Sequence, residues 1–277
     1  MTLLDRTIAA ADQRLVLLAA PGADIPSSLD TVVRAPRVHT GLLRSVQRLR
    51  GQVYLEDGAV TTEQLSPKGL HQTPEDDRSW HILSLDAKGD VTGCLWYRPY
   101  DASVSFEDLR VRRSPVAPSW REHVWRAVET DLLTARMEGL SYAELGGWAI
   151  AKANRCTSEI LLLACAAYGL SQLLGDAVGN TTATFRNSSA NILQRLGGTP
   201  FKVPGGRGDV PPYFDPHYGC DMQLLRFDSR APHPALASAV NLLKQKLALV
   251  PVVMNATSAV ALPLQTEERR QAPQYAA

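Results

Sequence analysis

The sequence is short of the features that would place it on a membrane or on nucleic acid. No apolar run approaches the roughly 20 residues that span a bilayer. Lys and Arg total 29 against 28 Asp and Glu, a formal net charge of +1, so there is no bulk electrostatic attraction to nucleic acid or to an anionic membrane. Acidic residues precede the apolar run at 15–20 and break the form of a signal peptide. The composition therefore predicts a cytoplasmic protein whose partners are recognised by a local site and not by its overall charge.

Cysteine and the common catalytic motifs are also scarce. The four cysteines, Cys94, Cys156, Cys165 and Cys220, lie far apart and show neither zinc-like nor redox-like spacing. They are predicted to be reduced thiols. There is no nucleophile elbow of the Gly-x-Ser-x-Gly type, no Walker loop and no His-Glu-x-x-His. Hydrolase, nucleoside triphosphatase and zinc-enzyme functions have little support, and no metal is predicted.

What the chain does have is the composition of a folded domain. It has 277 residues, 45% of them hydrophobic and 21% charged, enough for one large domain or two small ones. We divide it into a helix-like lead-in at 1–38, a main domain at 39–230, a C-terminal helix at 231–263 and a polar disordered tail at 264–277.

The main domain alternates predicted helices and strands. Helical spacing of apolar residues predicts helices over 40–55 and 119–137, the second with a capping box from Ser119 to Glu122. A hairpin is predicted from strands 79–85 and 91–97, and a third strand over 103–111. Farther on, the predicted elements are a strand over 221–227 and a helix over 232–249. The order predicts an α/β fold with a mixed sheet and helical extensions at both ends.

The most informative stretch is 142–198. Residues 142–150 are apolar on both faces apart from Glu144, as in a central strand covered on two sides. Gly146 and Gly147 interrupt this strand, and paired glycines there indicate a bulge or a close approach of the backbone to a ligand.

A polar, basic loop follows the strand and leads into an apolar helix. Thr157 is the predicted N-cap, and Lys152 and Arg155 precede it. Unpaired amides and the positive end of the helix dipole suit a phosphate group. A short strand over 181–185 and a helix over 188–196 come next, so the stretch is predicted to be a parallel crossover. An ordinary βαβ unit with a satisfied turn is the alternative.

These residues resemble the acyl-coenzyme A binding core of the GNAT acyltransferases, in which the loop Gln/Arg-x-x-Gly-x-Gly/Ala holds the pyrophosphate. Arg155 matches the first position, whereas Ser158 and Ile160 stand at the two small residues. Leu193 stands where many members carry a tyrosine that protonates the leaving thiolate. Upstream segments at 48–54, 79–83 and 93–97 resemble the branch containing acyl-homoserine-lactone synthases and N-acyl amino acid synthases.

The resemblance implies an N-acyltransferase that moves an acyl group from a thioester to an amine by direct attack. The donor is acyl-CoA or an acyl carrier protein, and no further cofactor is needed. The acceptor is an amino acid, a small amine or the Lys or ornithine side chain of a peptide. A homodimer is left open. The alternative is a non-catalytic module that binds an acyl carrier or a peptide.

Glu144 is the predicted general base, because burial of a lone carboxylate raises its pKa toward a useful value. A structural ion pair is the alternative. The predicted donor site comprises Trp148, Ala149, Ile150, Lys152, Asn154, Arg155, Cys156, Thr157 and Ser158, in which the backbone N–H groups of residues 148–150 meet the oxyanion.

Four residues are assigned to the substrates: Arg50, Trp80, Trp96 and Arg186. For Arg50, a solvated helix face is the alternative, and for the two tryptophans, the hydrophobic core. A rival chemistry forms an acyl intermediate on Cys156, whose thiol next to Arg155 and a helix N-terminus would ionise more easily.

Overall fold

A mixed β-sheet organises the chain in a computed structural model that describes residues 14–256 except 102, 156, 204 and 207. Its ten strands are β1 Arg14–Leu18, β2 Val32–Arg34, β3 Trp80–Leu85, β4 Val91–Tyr100, β5 Ser141–Ile150, β6 Ala177–Thr184, β7 Thr199–Pro200, β8 Tyr213–Asp215, β9 Cys220–Asp228 and β10 Val252–Met254. The strand order is β2-β10-β1-β3-β4-β5-β6-β9-β7, and β8 pairs with β9.

Five α-helices cover the two faces of this sheet in the described residues: α1 Pro36–Glu56, α2 Pro118–Glu138, α3 Glu159–Leu173, α4 Ser189–Arg195 and α5 Ala237–Leu249. Helices α3 and α5 pack on one face, and α1 and α2 pack on the other. This two-sided cover explains why β5 is apolar on both faces. The predicted α/β fold with a mixed sheet is confirmed. No helix within these residues is long and apolar enough to cross a bilayer.

The predicted parallel crossover is present as β5, α3 and β6. Strands β5 and β6 pair in parallel from Ser141 with Ala177 to Leu145 with Thr181. Gly179 allows this pairing, because a Cβ there would lie 1.8 Å from the carbonyl oxygen of Ala143. The predicted hairpin of β3 and β4 is also confirmed, with its turn at residues 86–90.

Two local predictions are wrong. Residues 106–108 and 110–113 form 3₁₀ turns, not the predicted third strand, and Ser105 caps the first of them in a reciprocal pair with Asp108. The capping box predicted at Ser119 is absent, since α2 begins at Pro118 without a side-chain cap. Proline favours the first helical position, and Glu122 instead pairs with Arg126 one turn along.

The N-terminal segment also differs from its prediction. The apolar run at 15–18, predicted as part of a helical opening, is strand β1. It pairs antiparallel with β3 and parallel with β10, and β10 in turn pairs parallel with β2. A short apolar run fits a buried strand or a buried helix equally well, so local sequence did not distinguish them. The predicted tail at 264–277 lies outside the described residues.

A buried charged cluster joins α1 to the segment before β3. Arg50 and Asp76 form an ion pair at 2.6 Å with both side chains at most 2% exposed. Arg50 also donates to the carbonyl oxygen of His71 at 2.9 Å, and the His81 ring contacts the carbonyl oxygen of Asp76 at 2.9 Å. Burial lowers the pKa of His81 to about 4.

We expect this histidine to make the fold sensitive to acid. The unfolded chain binds a proton at His81 from about pH 6.5 downward, whereas the folded chain does so only near pH 4. The unfolded state therefore binds more protons in that window, and stability falls as the pH falls. Between pH 7 and pH 5 the loss from His81 alone should be about 2 kcal/mol, measured by urea unfolding. His81→Gln should remove that share of the slope and leave the share of His71, whose pKa burial also lowers to about 4. His217→Gln, at an exposed histidine, should leave the whole slope.

Candidate functional site

The cleft at the centre of the sheet forms where β5 and β6 separate. Their pairing ends at Leu145 and Thr181, although β5 continues to Ile150 and β6 to Thr184. The gap opens into a cavity of about 550 Å³. Past Leu145, this edge of β5 has no strand partner among the described residues, so its main chain faces the cavity.

A bulge at the paired glycines shapes the floor of this cleft. The register of β4 on β5 shifts between Cys94 and Trp96, and Gly147 lies in the left-handed region at φ 63°. The indole of Trp96 packs against both glycines, since a Cβ would lie 2.4 Å from it at Gly146 and 2.2 Å at Gly147. The glycines therefore bring the backbone close to Trp96, and Trp148, directly after the bulge, lines the cavity.

A polar network joins the elements around one mouth of the cleft. Arg155 pairs with Asp57 at the end of α1 through contacts of 2.8 and 3.2 Å, and Asn187 donates to the same carboxylate at 3.0 Å. Arg186 donates to the carbonyl oxygens of residues 57, 58 and 219. Asp57, Arg155, Arg186 and Asn187 all line the cavity. The network thus connects α1 with the loops that follow β5 and β6.

The N-terminus of α3 stands beside the same mouth. Ser158 is the N-cap residue, and Thr157 accepts a hydrogen bond from the amide of Glu159 at 3.2 Å. The Glu159 side chain is fully buried and accepts from the hydroxyl groups of Ser84 and Thr92. A carboxylate in the first turn interacts favourably with the helix dipole. The charge of Glu159 also offsets part of the positive potential that the helix end presents to an external anion. Arg155 is therefore the more important candidate contact for the phosphates of the acyl donor.

Glu144 is buried next to the last paired residues of β5 and β6 and does not line the cavity. Its carboxylate accepts hydrogen bonds from the amides of Arg110 and Val111 at 2.9 and 2.8 Å and from the hydroxyl of Tyr100 at 2.6 Å. These contacts hold the 3₁₀ turn at 110–113 against β5. Whether Glu144 also accepts a proton from a substrate stays a prediction.

Sequence reasoning missed Arg110, which lines the cleft next to this turn. Its guanidinium lies 5.9 Å from the centre of the Trp96 ring, within cation–π range, and its Nη1 donates to the Thr182 hydroxyl at 3.4 Å. Burial opposes its charge, but Tyr218, Glu75 and Glu144 nearby raise the pKa of Arg110 above its ordinary value. No local motif marks Arg110 in the sequence. The prediction also placed residues 103–111 in a strand, so it did not indicate a turn beside the cleft.

Two tyrosines were also missed. Tyr54, one turn beyond Arg50 in α1, donates to the carbonyl oxygen of Trp148 at 3.1 Å and lines the cleft. Burial raises the pKa of its hydroxyl. Tyr218, between β8 and β9, lines the same cavity. Both lie far in sequence from β5, so only the fold shows that they share a cavity.

The other predicted site residues divide into two groups. Trp148, Ala149, Ile150, Asn154, Arg155 and Arg186 line the cleft. Arg50 is buried against Asp76, and Trp80 and Trp96 are buried at 2% and 3% exposure, so none of these three lines the cavity. Lys152 and Thr157 are exposed and Ser158 is half-buried. These positions do not test the assigned roles, which stay predictions.

The prediction of an acyl intermediate on Cys156 falls outside the described residues. The other three cysteines are buried and free of disulfides. Burial raises the pKa of Cys94 and of Cys165 to about 12 and that of Cys220 above its ordinary value. None of the described cysteines is therefore an activated thiolate.

Comparison by sequence found no matching protein-family model and no matching curated protein. Comparison of the fold did find similar structures. A CoA-dependent acyl-homoserine lactone synthase, BjaI, with SAM and isopentyl-CoA aligns with a TM-score of 0.51 at 12% identity, over 88% of this chain and 94% of that one.

The same synthase with MTA aligns over the same shares at a TM-score of 0.50 and 12% identity. FeeM, an N-acyl amino acid synthase from uncultured soil microbes, aligns at 0.42 and 12% identity over 79% of this chain and 92% of that one. The chain therefore shares its fold with this acyl-homoserine lactone synthase, as the family resemblance in its sequence implies.

Proposed function

We propose that the chain is an N-acyltransferase that moves an acyl group from a thioester to an amine within the cleft. The observation that carries the proposal is the separation of β5 from β6 at the Gly146-Gly147 bulge, beside the N-terminus of α3. The separated edge supplies main-chain amides for an oxyanion, and the helix end suits a phosphate group. The shared fold with a synthase that was solved with isopentyl-CoA supports this arrangement.

The chemistry is direct attack in a complex of both substrates. The neutral amine nitrogen attacks the thioester carbonyl carbon, and the negative charge that develops on the carbonyl oxygen is stabilised by amides near Trp148. Such donors are each worth on the order of 3 kcal/mol. The C–S bond then breaks, the electron pair leaves on sulfur as a thiolate, and the amine proton passes to a base. Leu193 lines the cleft where many GNAT members place a tyrosine, so we assign protonation of the thiolate to solvent.

The donor presents a phosphopantetheine arm, which CoA and an acyl carrier protein share. We place that arm near residues 154–158. We also propose that the protein is located in the cytoplasm, because both donors and reduced cysteines occur there. Peptide acceptors and a homodimer also stay proposals.

Turnover with purified protein tests the function. Acyl-CoA thioesters of graded chain length are mixed with amino acids and simple amines, and release of free thiol is followed with a thiol reagent while mass spectrometry identifies the amide. Thiol release that depends on both partners supports an acyltransferase. Binding of the thioester without thiol release would instead support the non-catalytic module, which Ser158, Ile160 and Leu193 suggest by their departure from the family pattern.

The donor end of the cleft can be tested through the pair of Arg155 and Asp57, which are 34% and 15% exposed. If Arg155 contacts the donor phosphates, Arg155→Gln should weaken CoA binding about 10-fold or more, because one charge-assisted interaction is lost. Asp57→Asn is the matched control, since it breaks the same pair and leaves the guanidinium in place. Calorimetry with CoA measures both. If both variants weaken CoA binding equally, the ion pair of Arg155 and Asp57 only closes the mouth of the cleft. If Arg155→Gln leaves the CoA affinity unchanged, the phosphates bind elsewhere.

A further inference from the structure

We propose that Tyr54 is a positioning residue for the oxyanion site. Its hydroxyl occupies the carbonyl oxygen of Trp148, an acceptor that would otherwise repel the negative charge developing beside the Trp148 amide. The inference rests on the proposed function, because it concerns the same cleft and the same reaction. The contact that carries it is the hydrogen bond from the Tyr54 hydroxyl to that carbonyl oxygen at 3.1 Å, next to a cavity that both residues line.

The first argument is the direction of the main chain along β5. Ala149 pairs with Cys94, and the amide of Ala151 donates to the carbonyl oxygen of Thr92 at 2.7 Å. Hydrogen-bonded pairs recur at every second residue of an antiparallel ladder, so residues 149 and 151 direct their amide and carbonyl groups toward β4. Trp148 then directs both of its groups toward the opposite edge, which borders the cleft. Its amide and its carbonyl therefore lie side by side on that edge.

The second argument is electrostatic. A thioester oxygen that accepts a hydrogen bond from the Trp148 amide lies close to the Trp148 carbonyl oxygen, whose partial negative charge opposes the charge that develops during attack. A hydrogen bond from Tyr54 polarises this carbonyl and adds the positive end of a hydroxyl dipole on the same side. Burial raises the pKa of Tyr54 above its ordinary value, so the hydroxyl keeps its proton throughout the neutral range.

The third argument is that Tyr54 is held in place by the protein. Its main-chain carbonyl oxygen accepts hydrogen bonds from the amides of Ala59 and Val60 at 2.8 and 3.3 Å, at the end of α1. Its ring packs edge-on against the buried imidazole of His71, with 5.1 Å between the ring centroids and 76° between the planes. The hydroxyl is therefore directed at Trp148 in advance. Groups fixed in this way stabilise a transition state without reorganising during the reaction.

Tyr54→Phe tests the inference, because phenylalanine keeps the ring against His71 and removes the hydroxyl. With an acyl-CoA donor, kcat should fall about 10-fold while KM for the donor stays unchanged, since the lost hydrogen bond acts on the transition state. Tyr97→Phe is the matched control. The Tyr97 hydroxyl is buried 3.0 Å from the Ser171 hydroxyl and does not line the cleft, so its loss should lower the melting temperature and keep kcat. A Tyr54→Phe variant that retains the wild-type kcat would overturn the inference.

Infrared spectroscopy of the bound donor gives a readout that does not need turnover. Hexanoyl-CoA labelled with carbon-13 at its carbonyl is bound to each protein without an acceptor, and difference spectra report the stretching frequency of the thioester carbonyl. Hydrogen bonds from the oxyanion site should lower this frequency in the wild type and in Tyr97→Phe, and lower it less in Tyr54→Phe. Circular dichroism and the melting temperature report whether each variant is folded.

The outcomes separate the inference from the proposed reaction. A frequency shift that depends on Tyr54, without any thiol release when amines are added, would support the inference while overturning the reaction. Equal shifts in the wild type and Tyr54→Phe, or no shift in the wild type, would overturn the inference while thiol release continues to support the reaction. Failure of the wild type to bind the thioester would overturn both.

Discussion

Gly147→Ala is expected to remove acyl transfer and to destabilise the fold. A Cβ at this position would lie 2.2 Å from Cδ1 and 2.6 Å from Nε1 of the Trp96 indole, and the backbone φ of 63° is strained for alanine. The strain costs about 1–2 kcal/mol, and the overpacking costs about 1–3 kcal/mol more. Moving the bulge also displaces the amides proposed to stabilise the oxyanion. We expect kcat/KM to fall by about 10²-fold or more, alongside a loss of about 2–5 kcal/mol in urea unfolding.

Gly139→Ala is the matched control for this change. Gly139 ends α2 with φ 68°, but no atom lies within 4 Å of its Cβ position. It should lose about 1–2 kcal/mol through backbone strain alone and keep full turnover. Comparing the two variants isolates the clash with Trp96. If Gly147→Ala turns over at the wild-type rate while folded, the bulge is not the reaction site.

Glu144→Gln is expected to lower kcat by roughly 10²-fold in protein that remains folded, as the loss of a general base predicts. A glutamine keeps the shape but replaces one acceptor oxygen by an amide donor, which faces groups that already donate to Glu144. The free energy of unfolding should therefore fall by about 1–3 kcal/mol. Steady-state kinetics and urea unfolding measure the two effects separately.

The kinetic pattern distinguishes the base from an anchor. If Glu144 only holds the turn at 110–113, kcat is retained and only the free energy of unfolding falls, which would contradict the predicted base. Asp131→Asn is a suitable control, because Asp131 on α2 is another buried carboxylate and pairs with Arg226 at 2.7 Å. It does not line the cleft. It should lose stability without changing either kinetic constant.

Local pattern was sufficient for much of the fold. Apolar runs and helical periodicity predicted α1, the hairpin of β3 and β4, and the crossover of β5, α3 and β6 to within a few residues. The paired glycines in β5 indicated a bulge, and the structure has one. These features depend on contacts between residues close in the chain or on backbone conformations that glycine permits. The short strands β1 and β10 were missed, because their pairing joins opposite ends of the described chain.

The composition of the cleft depended on the tertiary structure. The sequence by itself placed Glu144, the bulge and the basic loop on one strand and its following turn, since all three lie within about a dozen residues. It could not show that Asp57 neutralises Arg155 from α1. Nor could it show that Arg110 lines the cleft from a 3₁₀ turn, with Glu75 and Glu144 nearby but no direct ion pair among the described residues. The net charge around an arginine, and the number of its hydrogen-bond donors that are unpaired, depend on which distant side chains fold against it. That neighbourhood decides which of the cleft arginines are paired and which keep unpaired hydrogen-bond donors.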